Sequence, residues 1–262
     1  MRLCLEVARR TYRRVATYRG ATIAGVFTNT VFGFLLAYVL LAVYRERTDV
    51  GGFDATDVVT FTFVTQGLLM VLGMFSDTEI ADRITTGDVI VDLQRPYDNQ
   101  AWWASVSYGK AAYYAIFRGV PPFVVGAIVF DLQLPSVGHA LAFVASAALG
   151  VGVAFGWRYL IQLSAFWLLD VRGANQLAWL TAQFLSGAFV PIVFFPGWLE
   201  AVARSLPFAA MLQLPVEVWL GRYDGARLVG VFAIQLVWAA ALVLAGRWVL
   251  TLAMRRVVVQ GG

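Results

Sequence analysis

Long uncharged apolar runs alternate with short charged segments along this chain of 262 residues. A helix that crosses a bilayer needs about 20 predominantly apolar residues. Six runs approach or exceed that length, so the pattern predicts an all-α integral membrane protein with one domain over residues 1–262. The predicted transmembrane spans cover residues 21–43, 58–75, 102–130, 137–169, 176–193 and 228–252.

Residues 1–19 show a different pattern, in which apolar and basic positions separate onto two helical faces. Arg9, Arg10 and Arg13 share one face and Arg14 lies at its border, while the apolar residues share the other. This pattern is typical of a helix that lies in the membrane interface among anionic headgroups. The alternative is the charged start of a signal peptide, but the apolar run that follows is too long for one.

Residues 194–227 are apolar but are interrupted by Pro196, Pro207 and Pro215. Proline breaks a helix interior, so this segment cannot form one straight span. We expect two short helices that dip into the outer leaflet and return as a re-entrant hairpin. Backbone of this kind is tolerated at membrane depth only where protein or water covers it.

The composition supports a bilayer environment and limits the possible chemistry. Hydrophobic residues make up 60% of the chain and charged residues 14%, whereas soluble domains have about 25% charged residues. One cysteine and one histidine, His139, argue against disulfides and His- or Cys-rich metal sites. The single lysine, Lys110, is followed by Ala111 rather than the hydroxyl residue of a phosphate-binding loop. We therefore expect no catalytic, cofactor or metal site on this chain, and no binding of nucleic acid.

Arginine positions predict the orientation, because cytoplasmic loops carry an excess of positive charge. With both termini in the cytoplasm, eleven arginines fall inside and five outside. The inner set is Arg2, Arg9, Arg10, Arg13, Arg14, Arg19, Arg83, Arg95, Arg172, Arg255 and Arg256, and the outer set is Arg45, Arg47, Arg204, Arg222 and Arg227. No internal repeat is visible, which argues against an inverted-repeat transporter.

Two arginines lie within predicted spans, Arg118 in the third and Arg158 in the fourth. An arginine in lipid is costly and normally faces protein or water. One interpretation is that both residues line a transport route or bind lipid headgroups or substrate. The other is that both side chains extend to the cytoplasmic interface.

Residues 76–100 lie between the second and third spans and combine acidic, basic and apolar positions. Ile80, Ile84 and Leu93 fall near one helical face, and Gly87 interrupts the run. A short amphipathic element outside the membrane needs a surface to pack against, so we expect a docking element. The alternative is a solvated loop.

Three features together make the chain resemble the ABC-2 type permeases, the membrane subunits of ATP-binding-cassette exporters. Residues 79–96 resemble the stretch between spans two and three of that family, with a central glycine and a Leu-x-x-Pro end. Residues 184–191 are similar to the Ser-Gly-x-x-x-Pro ending of span five, here with Phe195 and Pro196 following. Residues 206–208 with Pro215 resemble the hairpin before span six. The resemblance implies the six-span type V exporter fold, in a bacterial plasma membrane.

The resemblance further implies that two copies of a separate ATPase subunit bind ATP and magnesium on the cytoplasmic side. Residues 1–19 would be the connecting helix at the membrane surface, in contact with lipids. The segment between spans two and three would be the coupling helix that docks on the ATPase. Its expected coupling residues are Glu79, Asp82, Arg83, Gly87, Asp88, Leu93, Arg95 and Pro96.

In this family two permease subunits, identical or paralogous, form a dimer in which spans one and five normally meet. We therefore expect Asn29 and Gln183 to form hydrogen bonds across the interface. The wider set expected at the interface or route is Asn29, Gln183, Ser186, Gly187, Pro191, Arg118 and Arg158. The aromatic content and the lack of central charges favour a hydrophobic or amphipathic cargo.

Two other functions stay open on the sequence. The chain could be a membrane scaffold or sensor subunit without a transport route. It could also be a channel or proton-coupled carrier, although such proteins usually place acidic residues within spans, and no aspartate lies mid-span here.

Overall fold

The computed structural model describes residues 2–73, 78–168 and 170–260, with only the backbone described for residues 256–260. Within these ranges the chain is all helical, and β-structure is limited to one bridge between Val50 and Phe53. The predicted all-α fold is confirmed. The helices are α1 (Arg2–Ala16), α2 (Arg19–Val43), α3 (Ala55–Val71), α4 (Glu79–Thr85), α5 (Val89–Gln94), α6 (Asn99–Tyr114), α7 (Val120–Val129), α8 (Val137–Leu163), α9 (Arg172–Leu185), α10 (Gly197–Ser205), α11 (Pro207–Met211), α12 (Gln213–Trp219) and α13 (Gly225–Gln260).

Four helical stretches among the described residues are long and apolar enough to cross a membrane, which makes this a multi-pass membrane protein. They are Arg19–Val43, Asn99–Val129, Val137–Phe166 and Gly225–Arg255. A fifth apolar helix, Ala55–Val71, has 17 residues and is therefore about 26 Å long. Its first turn is fixed by a capping box between Asp54 and Asp57. Residues 74–77, at the predicted end of span two, lie outside the described residues.

The prediction of a fifth span over residues 176–193 is wrong in its bounds. Helix α9 begins at Arg172 and ends at Leu185 after 14 residues, about 21 Å, which is shorter than the hydrocarbon core of about 30 Å. Gly187 ends it with a φ of 85°, a conformation that favours glycine. Pro191 and a short 3₁₀ turn, Ile192–Phe194, follow.

The third predicted span continues through its two prolines. A π-helical turn, Ala115–Gly119, separates α6 from α7, and Pro121 and Pro122 lie in the first turn of α7. Proline lacks the N–H that an α-helix interior requires, and π turns commonly accommodate such local irregularities. The combined helix of 31 residues is about 46 Å long, which is longer than the hydrocarbon core of about 30 Å.

The segment before α13 forms three short helices rather than the predicted two. Pro196 precedes α10 and Pro207 begins α11, where a missing N–H costs nothing. Pro215 lies in the first turn of α12 and does not interrupt it. Helices α11 and α12 are almost entirely buried and pack against α8. We call residues 197–219 the outer hairpin.

Helix α1 packs along α6. Val7 and Thr11 are buried, and a Cβ at Gly109 would lie 2.4 Å from the backbone oxygen of Ala8. The apolar side chains of Leu3 and Leu5 stay exposed. The basic face stays exposed as predicted; its members are Arg9, Arg10, Arg13 and Arg14.

Candidate functional site

The segment between α3 and α6 folds into two short helices that meet at Gly87. The φ of Gly87 is 84°, which other residues adopt only with strain. Among the described residues, no atom lies within 4 Å of the position that a Cβ would occupy there. Glycine is therefore required at this position by the backbone conformation and not by a lack of space for a side chain. We call residues 79–96 the coupling segment.

The start of the coupling segment is fixed to the transmembrane helices. The side-chain oxygen of Gln162 in α8 accepts hydrogen bonds from the backbone N–H groups of Ile80 at 2.9 Å and Ala81 at 3.3 Å. These are N–H groups of the first turn of α4, which have no partner within the helix. Ile80 and Ala81 are themselves buried. A displacement of α4 must therefore move α8 or break these bonds.

Glu79 ties the same end of α4 to two further helices. Its carboxylate lies 3.3 Å from Nζ of Lys110 in α6 and 3.7 Å from Nη1 of Arg14 in α1. The glutamate and the lysine are partly exposed, so each ion pair contributes modestly to stability. Together with Gln162, they connect α4 to α1, α6 and α8.

Asp92 joins the two helices of the coupling segment to each other. It is buried, and its carboxylate lies 2.5 Å from Nε of Arg83 and 3.8 Å from Nη1 of Arg95. The hydrogen bond with Asp92 raises the pKa of the Arg83 guanidinium. A carboxylate in this position is acceptor-only and needs such partners. The two arginines thus have a structural role within the segment.

The outward surface of the coupling segment mixes acidic and apolar side chains. Asp82 and Asp88 are exposed, and so are Ile90 at 46% and Val91 at 53%. Sequence reasoning placed Ile80 on the apolar docking face, but Ile80 is buried inside the chain. It did not place Ile90 and Val91 on that face, because it assigned one helical face to residues on both sides of Gly87. Arg95, Pro96 and Gly87 are exposed, and Leu93 is half-buried.

A second polar site holds the outer hairpin together around Glu217. The carboxylate of Glu217 accepts two hydrogen bonds from Arg204, at 2.8 and 3.2 Å, and one each from Gln213 at 2.8 Å and Tyr223 at 2.5 Å. Glu200 accepts a further bond from Nε of Arg204 at 2.8 Å. The side chain of Glu217 is only 3% exposed, so the two-fold bond from Arg204 balances a buried charge.

The pKa values around Glu217 reflect this environment. Burial raises the pKa of the Tyr223 hydroxyl, and the neighbouring Glu217 carboxylate raises it further. Burial lowers the pKa of the Arg204 guanidinium, but its hydrogen bonds and charge interaction with Glu217 outweigh that effect and raise it. The proton of Tyr223 and the charge of Arg204 are therefore both retained at neutral pH.

The end of α9 is fixed to the outer hairpin through Gln213. Its side-chain oxygen accepts a hydrogen bond from the backbone N–H of Ile192 at 3.2 Å and would lie 2.4 Å from a Cβ at Gly187. Gln213 is fully buried. Of the residues expected at a dimer interface, Gln183, Ser186, Gly187 and Pro191 are likewise buried within the chain.

Asn29, which the sequence predicts at a subunit interface, forms a hydrogen bond within the chain. Nδ2 of Asn29 donates to the backbone oxygen of Gln66 in α3 at 3.0 Å, and Asn29 is 4% exposed. It therefore fixes α2 to α3 inside one chain. A buried asparagine finds its partner within the fold, and the sequence does not reveal on which face of α2 that partner lies.

Arg118 and Arg158 both lie against glycines, at different depths. The guanidinium of Arg158 donates to Oγ of Ser107 at 3.0 Å and lies beside Gly73. The guanidinium of Arg118 lies over the ring of Tyr114 and against Gly25 of α2, where a Cβ would come within 1.5 Å. Among the described residues, Nε of Arg118 has no hydrogen-bond partner. Neither residue faces the apolar cavity described next.

An apolar cavity of about 540 Å³ lies between α3, α6, α7 and α8, and Trp219 forms part of its wall. Small residues such as Gly67, Ala111 and Gly119 form part of its wall, and Phe123 and Phe143 contribute aromatic surface. The hydroxyl of Tyr108 is bonded to the backbone oxygen of Ala148 at 3.0 Å. The cavity therefore suits an apolar occupant.

No group of histidine, cysteine, aspartate or glutamate among the described residues is arranged to hold a metal ion. A family model described as ABC-2 family transporter protein matches residues 27–261. No curated protein and no solved structure gives a significant match.

Proposed function

Because the chain belongs to the ABC-2 family of transporter proteins, we propose that it is the transmembrane subunit of an exporter driven by a separate ATPase. The observation that supports this proposal best is the coupling segment. It presents exposed acidic and apolar side chains outward, while Gln162, Glu79 and Ile80 fix it inward to the transmembrane helices. Such an element can pass the motion of a docked partner to the membrane domain.

In the proposed complex two ATPase subunits bind ATP and magnesium and dock on the coupling segments of two permease subunits. Asp82, Asp88, Ile90 and Val91 form the docking surface, since they are the acidic and apolar groups left exposed. Arg83 and Asp92 maintain its shape. The basic face of α1 lies at the cytoplasmic surface of a bacterial plasma membrane, and both termini are cytoplasmic.

The second permease subunit packs against α2 in this proposal. One face of α2 carries large exposed apolar side chains, among them Phe27 at 70% and Val39 at 65%. Asn29, Gln183, Ser186, Gly187 and Pro191 are buried, so they shape the subunit from within. In the family the partner is either identical or paralogous, and the same apolar face serves both arrangements.

The cargo that fits the structure is hydrophobic or amphipathic. The apolar cavity offers about 540 Å³ next to the membrane-spanning helices, and apolar cavities with few polar groups favour apolar ligands. The six-span topology that the family resemblance implies requires that α3 and the residues from Arg172 to Phe195 also cross the membrane. Helix α9 is short, and the turn at Gly187 and the 3₁₀ turn Ile192–Phe194 complete this region.

A charge-reversal experiment tests the docking surface. The variant carrying Asp82→Lys and Asp88→Lys is expected to lose cargo-stimulated ATP hydrolysis when it is reconstituted with its ATPase. A matched control, Glu46→Lys with Asp49→Lys, reverses two acidic residues in the loop after α2 and is expected to keep it. Equal activity of the two variants would reject the docking surface, and ATP hydrolysis that no cargo stimulates would favour a scaffold or sensor subunit.

A further inference from the structure

A basic cleft of about 330 Å³ lies between α1, the coupling segment and the start of α6. Four guanidinium groups line it, together with the two carboxylates of Glu79 and Asp92. The arginines are Arg10, Arg14, Arg83 and Arg95. Glu6 pairs with Arg10 from outside the cleft, and Arg9 and Arg13 add positive charge on the same helix. The cleft and its rim are therefore net positive.

We propose that this cleft binds the phosphate headgroup of an anionic phospholipid from the cytoplasmic leaflet. Arginine presents a planar set of donors that matches phosphate oxygens. Basic pockets at the cytoplasmic ends of membrane helices recognise anionic headgroups in this way. The inference goes beyond the transport function and requires only the proposed orientation of the chain.

The surroundings of the cleft favour a lipid over free phosphate. Its floor includes Trp102 and Trp103, and tryptophan is enriched where membrane meets water. Leu3 of α1 is 50% exposed and lies on the same helical face as Arg10, seven residues further on, which leaves an apolar surface beside the cleft for the acyl chains. A phosphate ion would use only the guanidinium groups and would leave this apolar surface in water.

The position of the cleft gives the bound headgroup a consequence for the coupling segment. Arg10 and Arg14 belong to α1, whereas Arg83 and Arg95 belong to the coupling segment. Glu79 of the coupling segment and Arg14 of α1 pair at a distance of 3.7 Å. A headgroup held between the two sets of arginines adds closer contacts between α1 and the coupling segment. The lipid then stabilises the position from which the segment docks.

Native mass spectrometry of the full-length chain in detergent tests the proposal without any ATPase present. The wild-type chain is offered equal amounts of phosphatidylglycerol and phosphatidylcholine and is expected to retain the former. Arg10→Ala with Arg14→Ala is expected to weaken that preference about 30-fold, since each of the two arginines near an anionic headgroup contributes on the order of 1 kcal/mol. The matched control, Arg45→Ala with Arg47→Ala, removes two exposed arginines from the loop after α2 and is expected to change nothing.

A second double variant distinguishes an effect of lost positive charge from an effect of lost folding. Arg10→Lys with Arg14→Lys keeps both charges and is expected to retain most of the preference for phosphatidylglycerol. Equal retention of the two lipids by the wild-type chain, or an unchanged preference after both alanine substitutions, would overturn the proposal. Displacement of phosphatidylglycerol by inorganic phosphate alone would assign the cleft to free phosphate and reject the lipid. Because the readout is binding, failure here leaves the test of the docking surface unaffected.

Discussion

The hydrogen-bonded cluster at Glu217 allows a quantitative prediction about the outer hairpin. Replacing Glu217 with alanine removes the acceptor of four hydrogen bonds and leaves the guanidinium of Arg204 paired only with Glu200. Breaking a buried ion pair by removing one partner costs about 3–5 kcal/mol. The side chain of Arg204 is 31% exposed and keeps Glu200, so we expect the lower end, about 3 kcal/mol.

This loss is measurable as thermal unfolding in detergent, followed by intrinsic tryptophan fluorescence. For a domain of this size 1 kcal/mol corresponds to about 2–4 °C in Tm, so Glu217→Ala is expected to lower Tm by about 6–12 °C. The matched control is Glu200→Ala. The side chain of Glu200 is 33% exposed, and its loss is expected to cost about 1 kcal/mol or less.

A double-mutant cycle tests the reasoning more strictly. If Glu217 and Arg204 balance each other's charge, replacing both with alanine costs less than the sum of the single changes, by about 1–3 kcal/mol. Additive losses would show that the two residues act independently. A Tm of the Glu217→Ala variant equal to that of the Glu200→Ala variant would show that the buried position of Glu217 has no special weight.

Three further predictions concern other contacts of the described chain. Gly87→Ala is expected to destabilise the coupling segment by about 1–2 kcal/mol through its positive φ, seen as faster local hydrogen exchange, and exchange equal to that of wild type would contradict it. Gln162→Leu removes the acceptor of two backbone N–H groups. This variant is expected to reduce cargo-stimulated ATP hydrolysis with little change in binding of the ATPase. An unchanged ratio of hydrolysis to ATPase binding would count against a role of Gln162 in connecting α4 to α8. Gly25→Ala is expected to lower Tm because its Cβ meets the guanidinium of Arg118. In a variant that also carries Arg118→Ala, the same change is expected to lower Tm less.

The sequence was most informative where apolar runs were long. Helices α2, α8 and α13 follow their predicted runs, because about 20 apolar residues have few stable environments other than a bilayer. The bounds of α9 were missed although Gly187 and Pro191 mark its end. The apolar residues between and after them continue the hydropathy pattern of a span, and hydropathy does not register backbone conformation.

Contacts between distant segments were the part that the sequence could not supply. Glu217 stands as an acid in an apolar stretch, four residues after Gln213, and that spacing places both side chains on one helical face. Its partner Arg204 lies on another helix, which no local pattern indicates. Asn29 shows the same limit, since a polar residue in a span predicts a hydrogen bond without specifying its acceptor.

The continuous helix from Asn99 to Val129 has a mechanical consequence. Its N-terminal part holds Lys110, which pairs with Glu79, and its middle forms a wall of the apolar cavity at Ala115 and Gly119. The distance from Asn99 to Gly119 is about 30 Å along the axis. Acting as a lever pivoted at its N-terminal end, the helix converts a tilt of about 5° into a shift of about 2.6 Å at the cavity wall. A small rotation at the N-terminal end of this helix therefore changes the width of the apolar cavity.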